Sequence, residues 1–557
     1  MIKKALFNAI VVLTFSGLAQ ATTYYVSPIG SDSYVGTSLS VPFKTIQRAA
    51  DVVNPGDNVY IRNGVYREQV RLARSGTLQQ RITFQAYADE HPIIDGSKPL
   101  GSWTQYSGQI YQTSVTVNVD PVVINDTILD HVENTQQMTE GSFYQTGNVL
   151  YIWCPGGGSP MSRAVGIIKD FDGWNESTLA MITGSHISFS GFTVRYGSGA
   201  GIKCTGDFVR VENCNVKFSG YQGITIENGW SCEVKGCTVY DNVLMNWPRG
   251  GMSSGWAMGL CFFSGGNGKI IANNVFRNHG EGIGTYGGWG NPGTNGLKIT
   301  NNVSYDNWSV NIYIDHGTAV TVDGNLVYVS GNRPSPEESR SLPNAILCAE
   351  ELNFGNPGDL RDGIITNNIV IGCRRGFGFA KWTDNTSGLK NFLVANNTFV
   401  DNVYYGVEVN EGDHTGSVFK NNIIYQTKGD LLKVGSPADT VFGYNCLFHE
   451  ESSQVFIWSG TRYNFDDWRS TTGCGAGSHW ANPLFVDGTG FDPAGYKISE
   501  SSPCRDAGVE LQEVITDFWQ TKRPQANSYD IGAYEYNSNQ NPLLPTGLTI
   551  VKPVPQE

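Results

Sequence analysis

Charged residues are scarce in this chain of 557 residues. Asp, Glu, Lys and Arg together make up 16% of it, and there are only 7 Met. The abundant residues are instead glycine and the aromatics, with 67 Gly and 26 Tyr. This composition is typical of an all-β protein and argues against a helical one.

Zinc-type cysteine pairs and long apolar runs are also missing. The 11 Cys include no CxxC spacing, which argues against a structural zinc site. Because the count is odd, at least one Cys has no partner within the chain, and connectivity stays open; Cys474 and Cys504 are a plausible C-terminal pair. The main apolar run, 5–18, is too short for a comfortable membrane span.

The first 21 residues have the three parts of a secretory signal. Lys3 and Lys4 precede the apolar run, and Ala19-Gln20-Ala21 follows it as a cleavage site. We therefore expect a secreted or periplasmic protein without membrane insertion. The formal net charge of −13 argues against nucleic acid and anionic membranes as partners. We expect a monomer whose partner is a polysaccharide.

One six-residue pattern recurs between residues 186 and 445. Apolar residues flank a central pair of Asn, Gly or Cys, as in ITNNVS (299–304) and ITNNIV (365–370). The closest copies are about 22 or 23 residues apart, and the longer gaps are explained by loops. The short β-branched strands of each repeat predict one turn of a parallel β-helix.

The fourth position of this pattern predicts a ladder of stacked side chains. Coils stack about 4.8 Å apart, so identical positions lie above one another and their amides can hydrogen-bond. The predicted ladder contains Asn274, Asn302, Asn325, Asn368, Asn397, Asn422 and Asn445. Cys214 and Cys237 share this column and are interpreted as small buried residues, with a disulfide as the alternative.

This repeat resembles that of the right-handed parallel β-helix proteins of the pectin-lyase-like superfamily. The stretch at 23–68 resembles the start of secreted members, in which PFKTIQRAADVVNPGD (42–57) would be a helix that caps the solenoid. The resemblance implies a fold class: all-β, a single-stranded right-handed parallel β-helix with an N-terminal capping helix. It implies less about function, because the superfamily includes lyases, hydrolases, epimerases and adhesins.

The resemblance and the repeat together predict the organisation of the chain. The expected segments are a signal peptide (1–21), an N-terminal cap with the first coils (22–96), a β-rich insertion (97–165), the main β-helix with groove loops (166–450), C-terminal coils with a closing segment (451–537) and a flexible tail (538–557).

A second strand follows each Asn turn, and its alternation predicts one polar face. The residues expected to point inward are Ile202, Ile224, Ile312, Ile346, Phe377 and Val407. Those expected on the outer face or just after the strands are Glu227, Tyr286, Tyr313, Asp315, His316, Glu350, Glu351, Lys381, Glu408 and Glu411. Neighbours in such a column lie about 5 to 10 Å apart, which suits two groups on either side of one sugar linkage.

Tryptophans cluster in the loops of the same region. Aromatic rings beside a polar groove commonly pack on sugar rings, although loop packing explains any single one equally well. The predicted substrate-binding aromatics are Trp247, Trp256, Trp289, Trp308 and Trp382.

The favoured chemistry is β-elimination by a polysaccharide lyase that acts on a uronate-containing polymer. The predicted catalytic group is Tyr313, Asp315, His316, Glu350 and Lys381, with Lys381 or His316 as the base. Arg374 and Arg375 would neutralise the uronate, with Glu408 as a further binding residue. A calcium ion on Asp315, Glu350 and Glu351 would serve the same purpose, although no cofactor is certain and the dense Asp cluster of β-helix pectate lyases is missing.

Two other functions stay open. A glycoside hydrolase needs two carboxylates, which Asp315 with Glu350, or Glu350 with Glu408, would supply. A glycan-binding or adhesin-like β-helix would bind through its Trp residues without turnover.

Overall fold

A computed structural model describes residues 20–538, except for 98–99, 101, 164, 170–177, 247–256, 288–292, 332–341, 352–359, 382–386 and 437–439. Within this part of the chain, three sheets of 13 strands run side by side, which we name sheets A, B and C. Each coil contributes one short strand to each sheet, and neighbouring coils pair in parallel, except at the last pair of sheet C. The predicted parallel β-helix is confirmed.

Each sheet is a single row of strands along the solenoid axis. Sheet A runs in the order Thr23–Val26, Asn58–Ile61, Ile82–Ala86, Ile187–Ser190, Arg210–Glu212, Glu233–Lys235, Lys269–Ile271, Lys298–Thr300, Thr321–Asp323, Ile364–Thr366, Leu393–Ala395, Val418–Lys420 and Val441–Gly443. Sheet B runs in the order Val65–Tyr66, Ile93–Asp95, Thr193–Arg195, Asn215–Lys217, Thr238–Tyr240, Asn274–Phe276, Val303–Tyr305, Leu326–Tyr328, Ile369–Ile371, Thr398–Val400, Ile423–Gln426, Cys446–His449 and His479–Trp480. Sheet C runs in the order Val70–Leu72, Ala180–Ile182, Ile202–Cys204, Ile224–Glu227, Met258–Phe263, Glu281–Tyr286, Val310–Asp315, Asn344–Ala349, Arg375–Ala380, Tyr405–Val409, Asp430–Val434, Phe456–Trp458 and Thr461–Tyr463.

The core fills the space between the three sheets. Alternate residues of every strand point inward and stack in register, as Ile270, Ile299, Val322 and Ile365 do in sheet A. All four are completely buried. Each such side chain contributes about 1.5 to 3 kcal/mol by leaving water, so the stack of apolar columns is the main source of stability.

The predicted Asn ladder is present, with one error. Its side chains run from Asn273 through Asn302, Asn325, Asn368, Asn397 and Asn422 to Asn445, and each Nδ2 donates to the next Oδ1 at 2.9 to 3.1 Å. Asn274 was predicted instead of Asn273. Because Ile270 pairs with Ile299, the repeat begins one residue earlier in this coil than the letter pattern suggests.

Both ends of the solenoid are covered by short helices. The predicted N-terminal cap is the helix Ile46–Val52, whose first turn is fixed by the Thr45 side chain accepting from the Arg48 amide. The helix Phe465–Thr472 covers the other end, with Trp468 fully buried and stacked 4.9 Å from Phe456. These helices shield the open core and the unpaired strand edges. None of the helices in the described part of the chain is long and apolar enough to cross a membrane.

The C-terminal segment, 482–537, returns along the outside of the solenoid. Its carbonyl groups accept hydrogen bonds from Asn367, Asn396 and Asn421, which occupy the left-handed turn position just before the ladder residues. Its Phe491 stacks on Tyr328 of sheet B at 4.8 Å. The segment therefore clamps several coils together from outside.

Smaller elements complete the fold. The insertion between the first coils forms one sheet of Asp130–His131, Ser142–Thr146, Val149–Trp153, Ile110–Ser114 and Thr104–Ser107, and another of Thr127–Ile128, Val119–Ile124 and Val165–Lys169. Thr294–Asn295 pairs with Gly317–Thr318, and single 3₁₀ turns occur at Pro160–Ser162, Leu244–Asn246 and Pro493–Tyr496.

All 11 cysteines are free thiols. The suggested pairing of Cys474 with Cys504 is wrong, because Cys504 is buried beside Cys446 while Cys474 lies after the C-terminal helix. Cys214 and Cys237 occupy the ladder column as small buried residues, as predicted, and the alternative disulfide is not formed.

Candidate active site

Sheet C places its outward side chains on one face of the solenoid. Ile312, Ile346, Phe377 and Val407 stack in register and are buried, as predicted. The next residue of each strand forms the outward column Tyr313, Leu347, Gly378 and Glu408.

A cleft of about 470 Å³ opens along five of these strands, from Glu281–Tyr286 to Tyr405–Val409. Its charged lining residues are three acids, Glu281, Glu351 and Glu408, and three bases, Arg374, Arg375 and Lys381. Tyr313, Asn344 and Asn410 add polar groups, and Leu347 and Phe379 add apolar surface. The cavity volume is in the range of ligand sites, and most of its lining residues are charged or polar.

Tyr313 and Glu351 form the centre of the acidic half of the cleft. The Tyr313 hydroxyl donates to Glu351 Oε1 at 2.7 Å. The Glu351 amide donates to Asp315 Oδ1 at 3.2 Å, and His316 Nδ1 lies 2.7 Å from the same oxygen. The order of contacts is therefore Tyr313, Glu351, Asp315 and His316, from the cleft inward.

Burial sets the electrostatics of this half. It raises the pKa of Glu351, and the charge of Asp315 raises it further, against the lowering effect of the Tyr313 hydrogen bond. Burial likewise raises the pKa of Asp315 despite the neighbouring His316. The pKa of Tyr313 lies well above its usual value, first because of burial and then because of Asp315, Glu351 and Glu281. A carboxyl group whose pKa is raised by burial and by a neighbouring carboxylate is suited to general acid catalysis.

The basic half of the cleft is organised around Glu408. Its carboxylate is paired with Arg375 and accepts from Lys433 Nζ at 2.8 Å. Arg375 Nη1 also donates to Asn344 Oδ1 at 3.1 Å. Burial lowers the pKa of Arg375 to about 10, and the adjacent Arg374 adds to this effect. These contacts hold Arg375 and Lys433 in fixed positions around the Glu408 carboxylate.

Glu281 is a cleft residue that sequence reasoning missed. It begins the strand Glu281–Tyr286, is 3% exposed, and lies near enough to Tyr313 to raise the pKa of the tyrosine. It stands two positions before Ile283, at the very start of the strand, and it lines the cleft. Extending the expected strand by one residue toward its start would have identified it.

Three predicted site residues are fully covered. Asp315 and His316 are 0% exposed, so they lie behind the cleft and not on its surface. Trp308 was predicted to stack on sugar, but it is 2% exposed and lies on the turn before the strand Val310–Asp315, packed inside. Its burial excludes it from sugar stacking in this structure.

Glu350 also departs from the expectation. It is 3% exposed, does not line the cleft, and its Oε1 accepts from the Leu360 amide at 3.3 Å. Glu351, one residue later, is the carboxylate that faces Tyr313. Trp247, Trp256, Trp289 and Trp382 lie outside the described residues.

The expected calcium ligands do not converge. Glu351 points to Tyr313, Glu350 to Leu360, and Asp315 Oδ1 is occupied by His316 and the Glu351 amide. Among the described residues, no group of three or more His, Cys, Asp or Glu side chains is arranged to hold a metal ion. Asp315, Glu350 and Glu351 therefore do not fit a calcium site.

The chain is thus a parallel β-helix with a charged cleft on one face of sheet C. Residues 24–151 match the model of the Pel9A-like right-handed β-helix region, and residues 174–341 match the model of the right-handed β-helix region. These matches and the three parallel sheets identify the chain as a right-handed parallel β-helix protein.

Three proteins show what this chain is similar to. The chain is 25% identical over 501 residues to the uncharacterized protein YwoF of Bacillus subtilis (strain 168), a match that covers 86% of this chain and 92% of YwoF. A structure of XylC in complex with xylose superimposes with a TM-score of 0.59 at 13% identity, covering 92% of this chain and 98% of XylC. The pectate lyase Pel9A gives a TM-score of 0.48 at 16% identity, over 94% and 98% of the two chains.

Proposed function

We propose that this protein is an exported glycoside hydrolase that works in the sheet C cleft, with Glu351 as the general acid. The observation that carries the proposal is the environment of Glu351, whose pKa is raised by burial and by the charge of Asp315. A glycosidase needs one carboxyl group that stays protonated until it donates to the leaving oxygen.

Glu281 is the second carboxylate of the proposed mechanism. Glu281 and Glu351 both line the cleft, and both lie near the Tyr313 hydroxyl. Two carboxylates that face one space are the minimum that either stereochemical course of glycoside hydrolysis requires. Glu281 acts as the nucleophile or activates water, while Glu351 protonates the oxygen of the departing sugar.

The remaining groups have positioning and binding roles. The Tyr313 hydroxyl and the Asp315 carboxylate hold Glu351 through its side chain and its amide. Arg374, Arg375 and Lys381 line the other half, where their N–H groups donate to hydroxyl or carboxylate oxygens of the bound glycan. The fold that this chain shares with xylose-bound XylC is compatible with such a ligand.

A uronate lyase is the second candidate, because three cations line the cleft together. They would stabilise the negative charge that develops beside a uronate carboxylate, and Lys381 would be the base. Two observations leave Lys381 as its base in place of Tyr313 or His316. Tyr313 has a strongly raised pKa and holds its proton, and His316 is fully buried, so neither is suited to remove a proton from a polymer.

The two candidates differ in their products. The purified protein would be incubated with xylan, pectin, alginate and related glycans, while reducing ends and the near-ultraviolet absorbance of unsaturated uronates are followed. Hydrolysis predicts new reducing ends without absorbance. Absorbance would replace this proposal with the lyase, and no product from any glycan would favour a purely binding protein.

The residue assignment is tested on the substrate that the panel identifies. Glu351→Gln and Glu281→Gln should each lower kcat by about 100-fold or more, because each removes a proton-transfer or nucleophilic group. Glu411→Gln is the matched control, since Glu411 is exposed and does not line the cleft. Full activity in Glu351→Gln would refute the proposed acid.

A further inference from the structure

A second cavity, of about 300 Å³, lies where the insertion meets the first coils of the β-helix. Its walls come from the ends of the sheet B strands Ile93–Asp95 and Thr193–Arg195 and from the insertion around Trp103 and Arg163. The active-site cleft is centred on the strand Val310–Asp315 of sheet C, four coils further along. At about 4.8 Å per coil, the two cavities are roughly 20 Å apart along the axis, and they are lined by strands of different sheets.

Three guanidinium groups line this second cavity, from Arg67, Arg163 and Arg195, but only one carboxylate, from Asp95. Asp95 is 1% exposed, and its Oδ2 accepts from Arg195 Nε at 2.8 Å. Its Oδ1 accepts from the Ser97 amide at 2.8 Å. Both oxygens of the Asp95 carboxylate therefore already accept hydrogen bonds within the protein.

The other two arginines have no carboxylate to balance them within the described part of the chain. Arg163 donates to the carbonyl oxygens of Pro155 and Gly157, which fixes the guanidinium but leaves its charge. Arg67 is exposed, and among the described residues neither it nor Arg163 forms an ion pair. The cavity thus has an excess of two positive charges in a chain whose net charge is −13. Such a local excess favours an anionic ligand.

The uncharged lining of the cavity indicates what kind of molecule bears the anionic group. Trp103 and Tyr196 contribute aromatic surface, and Ser97 and Ser102 contribute hydroxyl groups. The Arg195 guanidinium stacks over the Tyr196 ring at 4.8 Å, which keeps both planar groups in place. Aromatic walls with a few hydrogen-bonding groups suit a sugar ring better than a bare inorganic ion.

We propose that this cavity is a second glycan-binding site, which takes a saccharide unit bearing a carboxylate or a sulfate. Arg67 and Arg163 bind the anionic group, and Trp103 forms a wall against the sugar ring. The site holds a polymer on the enzyme at a point away from the cleft, and it is independent of the reaction that the cleft performs.

The test is calorimetric titration of the full chain with three probes. These are a tetragalacturonate, which carries carboxylates, a chondroitin sulfate tetrasaccharide, in which sulfates are added, and a neutral xylotetraose. The Glu351→Gln variant is used as the common background so that turnover does not interfere. At least one acidic probe should bind, and the affinity should fall as salt is added. Tighter binding of the sulfated probe would identify sulfate as the anion, and tighter binding of the galacturonate would identify carboxylate.

Arg67→Glu in this background separates the second cavity from the cleft. Arg67 is exposed, and among the described residues its side chain forms no ion pair that the fold depends on, so the variant should fold normally. It should lose one acidic-saccharide site per chain, or weaken that site about tenfold or more. Arg71→Glu is the matched control, because Arg71 is also exposed, lies four residues away and points out from sheet C.

Two results would overturn the proposal. One is equal binding of an acidic probe, in affinity and number of sites, by the Arg67→Glu and Arg71→Glu variants. The other is that neither acidic probe binds more tightly than xylotetraose.

Discussion

Glu350 and Glu351 are adjacent in the chain but have different environments. Glu350 turns away from the cleft to accept the Leu360 amide, whereas Glu351 faces Tyr313 at 2.7 Å. Glu351 also lies close to the buried Asp315, whose charge opposes ionisation of a second carboxylate nearby. At the scale of single residues, the proposed acid catalysis by Glu351 depends on this one difference.

The pH profile of activity tests the coupling between these two carboxylates. Asp315→Asn removes a negative charge beside Glu351 and should therefore lower the pKa of Glu351. A general acid must be protonated to work, so the alkaline limb of the kcat/KM profile should move to lower pH. Asp323→Asn, which changes a half-buried carboxylate on sheet A, should leave the limb in place. An unchanged limb in Asp315→Asn would show that Glu351 is not the titrating acid.

Sequence alternation predicted the outward positions of Tyr313 and Glu408, because the inward apolar residues fix the register of each strand. It did not predict that Asp315 and Trp308 are covered, since burial outside the core depends on neighbouring coils and loops. It also could not choose between Glu350 and Glu351, which follow the end of the strand Asn344–Ala349, where alternation no longer applies.

The Asn ladder is the element that fixes how one coil sits on the next. Asn302 is 0% exposed, and its Oδ1 accepts from both the amide and the side chain of Asn273 at 2.9 and 3.0 Å. Its Nδ2 donates to Ile270 O and to Asn325 Oδ1, each at 3.0 Å. These four hydrogen bonds, made in a dry environment, pair buried polar groups in the turns of three consecutive coils.

Removal of one ladder residue should therefore be costly. Asn302→Ala leaves buried donors on Asn273 and a buried carbonyl on Ile270 without partners, and each such group costs about 1 to 3 kcal/mol. We expect the free energy of unfolding to fall by at least about 2 kcal/mol, measured by chemical denaturation. Asn274→Ala is the control, because Asn274 lies outside the ladder on the strand Asn274–Phe276 and should change stability much less. Equal losses in the two variants would contradict the structural role of the ladder.

The ladder also shows where a letter pattern is an imperfect guide. The sequences IANNVF and ITNNVS look identical in spacing, yet the first begins one residue out of register. Pairing is decided by which apolar residue enters the core, and both Ile270 and Ile271 satisfy the pattern. Ile270 is the one that is buried, so Asn273 and not Asn274 joins the column.

At the scale of the whole molecule, the C-terminal segment forms a charged clamp against the solenoid. Arg523 is buried between Glu535 and Asn367, which lies in the turn just after the sheet A strand Ile364–Thr366. The Arg523 Nη1 lies 2.8 Å from Glu535 Oε2. Asp517 and Asp530 accept backbone amides in the same cluster. One guanidinium thus faces three carboxyl groups, and burial raises the pKa of both aspartates.

This clamp should make stability depend on pH, chiefly through Asp530. Burial, followed by the charge of Glu535, raises the pKa of Asp530 from 3.8 to about 7, so the folded state binds a proton that the unfolded state has lost. Its contribution is therefore complete below about pH 4 and is lost as the pH rises to about 7. The side chain of Asp530→Asn cannot titrate, so this variant should flatten this part of the curve of unfolding free energy against pH. A change in stability that is the same at every pH would not affect this result. Asp506→Asn, which changes a neighbouring but less buried carboxylate, should retain the slope. The same slope in Asp530→Asn and the unmodified protein would assign the titration to another group.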